Sequence, residues 1–188
     1  MASLHTPDPL LEPDEAIDHI RGRASAPVTV VEYGDFECPS CFQAYGALKV
    51  MLPHFGQQLR FVFRHFPLRE VHPHAELAAE AAEAAGAQGK FWPMYELLFT
   101  HQQHLKDKQL IEYAAQAGLD MARYQNEMND HVYLQRVQEH MQSGRHLGVR
   151  STPTFYVNGV FCDVSFGLQH LHEAIDKVLA QSGQPGKA

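Results

Sequence analysis

Two cysteines three positions apart, Cys38 and Cys41, sit at a seam between two sequence patterns. Upstream, Val28-Thr29-Val30-Val31-Glu32-Tyr33 is almost continuously apolar and rich in β-branched residues, as in a strand covered on both faces. Downstream, Cys41, Tyr45, Leu48 and Leu52 recur at helical spacing. Pro39 suits the first helical position, which makes Cys38 the N-cap. Pro53 is expected to close this helix. A strand that gives way to a helix with the cysteines at its mouth places Cys38 beside unpaired N–H groups and the positive end of the dipole, where thiolate is favoured over thiol. Thiolate is the attacking species in disulfide exchange. Cys41, one turn in and more buried, is placed to resolve a mixed disulfide. The pair is therefore read as a redox dithiol. Two core cysteines and half of a zinc site are the alternatives. Zinc wants four clustered Cys or His ligands, and no second Cys-x-x-Cys or spaced Cys-His pair accompanies this one, so no metal is expected.

The second strand, Leu59 to Phe66, completes a β-α-β unit with a crossover connection. Strand signals then vanish until Leu147. Glu76–Ala87, Phe91–Gln103, Asp107–Ala117, a short helix capped by Asp120, and His131–His146 read as an all-helical block. Strand character returns at Thr154-Phe155-Tyr156-Val157. Asn158-Gly159 supplies a two-residue hairpin turn, Val160–Val164 returns antiparallel, and a last helix runs from about Ser165 to Gln181. Ahead of all this, residues 1–24 are expected to form a loosely packed surface arm with a short helix from Asp14 to Ile20.

Other residues bear chemistry. Glu32 lies six positions before Cys38, and burying a carboxylate is costly. It is expected to stay protonated near neutral pH or to exchange protons, taking the Cys41 proton as that thiol attacks; a strand-edge Glu facing water is the alternative. Thr152-Pro153 opens the returning strand, where proline cannot donate to a ladder. A cis Pro153 against the dithiol is expected, with the Thr152 backbone free to pair with an extended substrate. Cys162 falls opposite Phe155 on the hairpin and reads as a small buried apolar residue. His72-Pro73-His74 is a poor chelate and reads as a helix-start surface. Phe36, Phe42 and Phe66 read as core, with a substrate groove as the alternative.

The formal charge of −7 argues against nucleic acid. No apolar run approaches the ~18 residues that span a bilayer, so no membrane partner is expected. The N-terminal residues carry neither a basic region nor an apolar core, so a cytoplasmic location is expected, with an exported mature form as the alternative.

Together the strand with Glu32, Cys38-Pro39-Ser40-Cys41, the helix, the helical insertion, Thr152-Pro153-Thr154 and the hairpin resemble the DsbA-like branch of the thioredoxin superfamily. So do the segments Val31 to Pro39, Phe63-Arg64-His65-Phe66-Pro67 and Gly148 to Gly159. The resemblance covers roughly residues 25–180. It implies an α/β thioredoxin fold with an inserted all-helical domain: residues 25–70 and 148–182 forming the thioredoxin part, 71–147 the insertion, 1–24 an arm and 183–188 a tail. It also implies thiol–disulfide oxidoreductase activity without a cofactor, with Cys38 as nucleophile, Cys41 as resolving thiol, Glu32 as buried acid and Pro153 as cis proline. Substrate protein thiols or disulfides and a recycling reductant or oxidant, glutathione among them, are the implied partners.

Between the cysteines stands Pro-Ser, where the periplasmic oxidases typically carry Pro-His. Ser40 offers a hydroxyl dipole in place of a cation, so a less depressed Cys38 pKa and a less oxidising couple are expected. Two other function classes remain at this point: a peptide-binding, chaperone-like module whose dithiol is incidental, and a glutathione-dependent transferase or isomerase.

Overall fold

The β-branched run becomes the middle strand of a five-stranded sheet. In the computed structural model, which describes residues 8–183, the strands are β1 (His19–Arg21), β2 (Val28–Gly34), β3 (Leu59–His65), β4 (Thr154–Val157) and β5 (Val160–Cys162), in the order β1-β3-β2-β4-β5. Seven α-helices are found among the described residues: α1 (Pro39–Phe55), α2 (Ala75–Gly86), α3 (Phe91–Thr100), α4 (Asp107–Gln116), α5 (Met121–Asn129), α6 (Leu134–His146) and α7 (Gln169–Ser182). None of them is long and apolar enough to cross a membrane. The chain divides into two compact units. Met1–Glu32, Gly46–Arg64 and Thr154–Ala188 make one; Tyr33–Tyr45 and His65–Pro153 make the other.

The first unit is built on the sheet. Val28, Val30, Val31, Leu59, Phe61, Val62 and Phe155 are buried in its strands, and Leu171 and Ile175 are the buried residues of α7, which packs on β4 and β5. Asn158 and Gly159 both take positive φ, 46° and 79°, the conformation that a two-residue turn between twisted strands requires. This turn sets Phe155 opposite Cys162. Asn158 also fastens the turn to the start of β2, its Oδ1 accepting from Thr29 N–H at 2.6 Å and its Nδ2 donating to the Pro27 carbonyl at 3.0 Å.

Several expectations are corrected in this unit. Asp14–Ile20 is not helical. The chain turns there and His19–Arg21 pairs antiparallel with β3, Ile20 opposite Val62. Nor does the segment pack loosely. Asp18 is buried and meets the Arg64 guanidinium with two hydrogen bonds of 2.8 Å, and Arg64 also donates to the carbonyls of Leu10 and Glu12. A buried arginine needs its donors satisfied, and this segment satisfies them. Residues 1–7 of the expected arm, and 184–188 of the expected tail, lie outside the described residues. Pro53 does not end α1: it lies inside the helix, and Gly56, at φ 52°, follows the last helical turn. One missing N–H near a C-terminus costs less than a left-handed φ does for the helix geometry. Likewise α7 starts at Gln169, not Ser165, because Gly167 takes φ 126°, which is incompatible with helix.

The second unit is helical. Ala78, Ala81, Ala82, Ala84 and Ala85 of α2 are fully buried, and their small side chains let α3, α4, α5 and α6 all pack on this one helix. Asp120 caps α5 through Arg123 N–H at 3.0 Å. The α6 helix begins at Leu134, later than the expected His131, which takes φ 50° and so cannot be helical. Gly144 of α6 lies against the rings of Phe66 and Tyr33, where an added Cβ would come within 2.8 Å and 3.0 Å.

Candidate active site

The second unit contains both thiols of the pair and the loop that leads into them. Gly34 closes β2, and residues 35–38 form a tight approach to α1 because Cys38 N–H donates to the Asp35 carbonyl at 3.2 Å. Asp35 is the knot of this loop. Its buried carboxylate accepts from Glu37 N–H, Leu68 N–H and His72 Nδ1, each at 2.8 Å. Its own N–H donates to Cys41 Sγ at 3.4 Å. Glu37 is tied in turn to the start of α2, accepting from His74 N–H and His74 Nδ1 at 2.7 Å. Gln102, a buried side chain just beyond α3, donates from Nε2 to the carbonyls of Phe36 at 2.9 Å and Cys38 at 2.8 Å. Below the loop, Phe36, Tyr45 and Tyr95 surround Phe99, with ring centroids 4.9–5.2 Å from it. The helix mouth is therefore held by fixed hydrogen bonds over an aromatic floor.

Cys38 and Cys41 are both free thiols, 6% and 0% exposed. Cys38 Sγ donates to the Thr152 carbonyl at 3.4 Å, and the Thr152–Pro153 peptide bond is cis. The Cys38 pKa falls from 9.0 to about 5. Hydrogen bonding from the Cys41 thiol is the largest cause. Burial works against it, while the Thr152 side chain and the backbone N–H groups of Cys41 and Ser40 add to the lowering. Those last two donors are the unpaired N–H groups of the first turn of α1.

The structure thus brings Cys38, Cys41, Thr152 and Pro153 into one cluster. Glu32 lies in the first unit, fully buried in β2. Cys162, 8% exposed, also belongs to that unit, and burial together with the Asp163 charge pushes its thiol pKa up. Phe36 and Phe66 are buried, whereas Phe42 is 45% exposed. Sequence reasoning passed over three groups. Asp35 carries no pattern of its own three residues ahead of Cys38. His72 and His74 read as the surface of a helix start; they do open α2, but their rings are spent on Asp35 and Glu37. Gln102 lies 64 positions from Cys38 in the chain, and nothing in sequence spacing points to it.

A family model described as thioredoxin matches residues 15–177. The Na(+)/H(+) antiporter NhaA 1 of Salinispora arenicola is 45% identical over 170 residues, which is 90% of this chain and 26% of that protein. The chain spans about a quarter of the length of the curated relatives it matches. Among solved structures, oxidised BdbD from Bacillus subtilis superposes with a TM-score of 0.79 at 23% identity, covering 89% of this chain and 96% of the other. A thioredoxin-like oxidoreductase from Silicibacter pomeroyi gives 0.76 at 25% identity, covering 94% and 95%.

Proposed function

The chain belongs to the thioredoxin family, and on that premise we propose that it is a thiol–disulfide oxidoreductase working through Cys38 and Cys41. The observation that carries this reading is the acidity of Cys38: a thiol with a pKa of about 5 is almost wholly thiolate at neutral pH. Cys38 thiolate attacks one sulfur of a substrate disulfide, forming a mixed disulfide and expelling the other sulfur as thiolate. Cys41 then attacks Cys38 Sγ, closing the Cys38–Cys41 disulfide and releasing the second substrate thiolate. Two electrons pass from the dithiol to the substrate, and the reverse sequence oxidises a substrate dithiol.

Each step has a supporting contact. The Asp35 N–H on Cys41 Sγ favours the anion that the resolving thiol becomes as it attacks. Glu32, fully buried in β2, is the acceptor for the Cys41 proton in this reading. The Thr152 backbone beside cis Pro153 is the place where an extended substrate segment pairs. Substrates are protein thiols and disulfides, and a separate dithiol or glutathione recycles the pair.

A Cys38 pKa of about 5 lies between the ~3.5 of DsbA and the ~7 of thioredoxin. A stabilised thiolate stabilises the reduced form, so the couple is more oxidising than thioredoxin and less so than DsbA. Turbidity of insulin reduced by dithiothreitol tests the activity. Wild-type protein accelerates precipitation and Cys38→Ser does not; equal rates for the two would remove the proposal. Equilibration of the pair with glutathione buffers is expected to give a potential between roughly −270 mV and roughly −120 mV.

A further inference from the structure

A cleft of about 250 Å³ opens beside the mouth of α1, walled by Glu37, Pro39, His72, His74, Gln103 and Lys106 among others. Glu37 and Pro39 are the chain neighbours of Cys38. Adjacent Cα atoms are about 3.8 Å apart, so the cleft begins one residue along the chain from Cys38. Its volume suits one or two side chains rather than a folded partner.

The charges in the cleft are unevenly committed. Both oxygens of Glu37, its acid, already accept from His74 at 2.7 Å. His72 and His74 each hold Nδ1 on a carboxylate, Asp35 at 2.8 Å and Glu37 at 2.7 Å. Lys106 is exposed, and its ammonium meets no carboxylate among the described residues. The groups left to meet an incoming ligand are chiefly donors: the Lys106 ammonium and the Gln103 amide. On a chain of formal charge −7 this leaves one ammonium uncommitted among the described residues that line the cleft, beside the mouth of the cysteine-bearing helix.

We propose that this cleft is a specificity subsite that takes a carboxylate carried by the disulfide substrate next to the sulfur attacked by Cys38. The inference rests on the exchange reaction above and adds its substrate class. The carboxylate-bearing half becomes the partner in the mixed disulfide, held by Lys106 until Cys41 attacks Cys38 Sγ and releases it as a thiolate. The two electrons come from the dithiol, and the Cys41 proton goes to the acceptor proposed above, Glu32. Acidic segments of proteins and small acidic disulfides such as that of glutathione share this chemistry.

The test compares kcat/KM for two disulfide-linked peptides of one sequence, with Glu or Gln beside the cysteine, alongside glutathione disulfide and the uncharged 2,2′-dithiodipyridine. Wild-type protein is expected to prefer the Glu peptide by about tenfold, the order of one charge-assisted contact. Lys106→Glu should abolish that preference and turn it towards a Lys peptide. Lys108→Glu, the same change outside the cleft walls, should keep the wild-type ratio. Loss with the Glu peptide identifies protein segments as the source, and loss with glutathione disulfide alone identifies the small molecule; either supports the subsite. A Glu-to-Gln ratio near one in wild type, or a ratio that Lys106→Glu leaves alone, overturns it while exchange with 2,2′-dithiodipyridine still stands. Absence of any reaction with 2,2′-dithiodipyridine overturns the exchange reading, and this one with it.

Discussion

Cys38 and Cys162 are the same chemical group with similar exposure, 6% and 8%, yet their acidities move in opposite directions. Cys38, in the helical unit, stands at a helix mouth where a second thiol, the Thr152 side chain and two backbone N–H groups lower its pKa. Cys162, in the sheet unit, sits in a hairpin strand opposite Phe155, where burial and the Asp163 charge are all it meets. Desolvation raises both. Only Cys38 has donors to outweigh it. Burial alone therefore does not decide whether a cysteine reacts; the direction of the surrounding N–H and S–H groups does.

The sharpest way to break this contrast is to exchange the serines in turn. Cys38→Ser is expected to cut disulfide turnover by about a thousandfold or more, the order seen when a nucleophile is removed. Cys162→Ser should leave turnover within about twofold, since it takes no part in the site. Alkylation against pH measures the same difference directly. The Cys38 rate should halve as pH falls through about 5, whereas Cys162 should react more slowly than a free thiol at every pH. The sign for stability follows. The folded pKa of Cys38 lies below the ~8.5 of an unfolded thiol, so the reduced protein gains stability that is complete above that unfolded value. The gain is lost as pH falls through about 5.

Next in size are the buried carboxylates of the two units. Asp18→Ala would leave the Arg64 guanidinium buried without its partner, at about 3–5 kcal/mol of stability by urea unfolding. The Cys38 pKa should not move, because Arg64 and Asp18 belong to the sheet unit. Asp35→Ala strands the N–H groups of Glu37 and Leu68 and frees His72, for about 1–3 kcal/mol. In this case the alkylation profile and the rate of mixed-disulfide resolution should change as well, since loss of the carboxylate knot frees the loop that holds the residue-35 N–H, which alanine retains, on Cys41 Sγ. Equal stability loss without a change at the thiols would mean that the knot merely holds the loop. Gly144→Ala, which drives a methyl into Phe66 and Tyr33, should cost about 1–3 kcal/mol by the same measurement. The smallest effect is at Thr152→Val, where loss of the hydroxyl should raise the Cys38 pKa above about 5 without loss of the fold.

Local pattern made much of this legible. The β-branched run, Pro39 after Cys38, Asp120 before its helix and Asn158-Gly159 each dictate backbone geometry within a few residues, and each appears where its chemistry requires. The Cys-x-x-Cys announces its own chemistry. What escaped was tertiary. His19–Arg21 is a strand because β3 offers an open edge, and Asp14–Ile20 alone favours a short helix instead. The loop around Cys38 is tied down by Leu68, His72, His74 and Gln102, whose spacing from it follows no period. Arg64 is buried because Asp18 meets it, and only the folded chain reveals that partner.

The backbone passes between its two units at four points, after Glu32, Tyr45, Arg64 and Pro153. No single cut excises the thiol-bearing half: a fragment of residues 65–153 keeps Thr152 and Pro153 but carries neither Cys38 nor Cys41. Recombination or fusion can therefore transplant this redox module only entire, and a breakpoint anywhere between residues 38 and 152 separates the sulfur from the carbonyl that faces it.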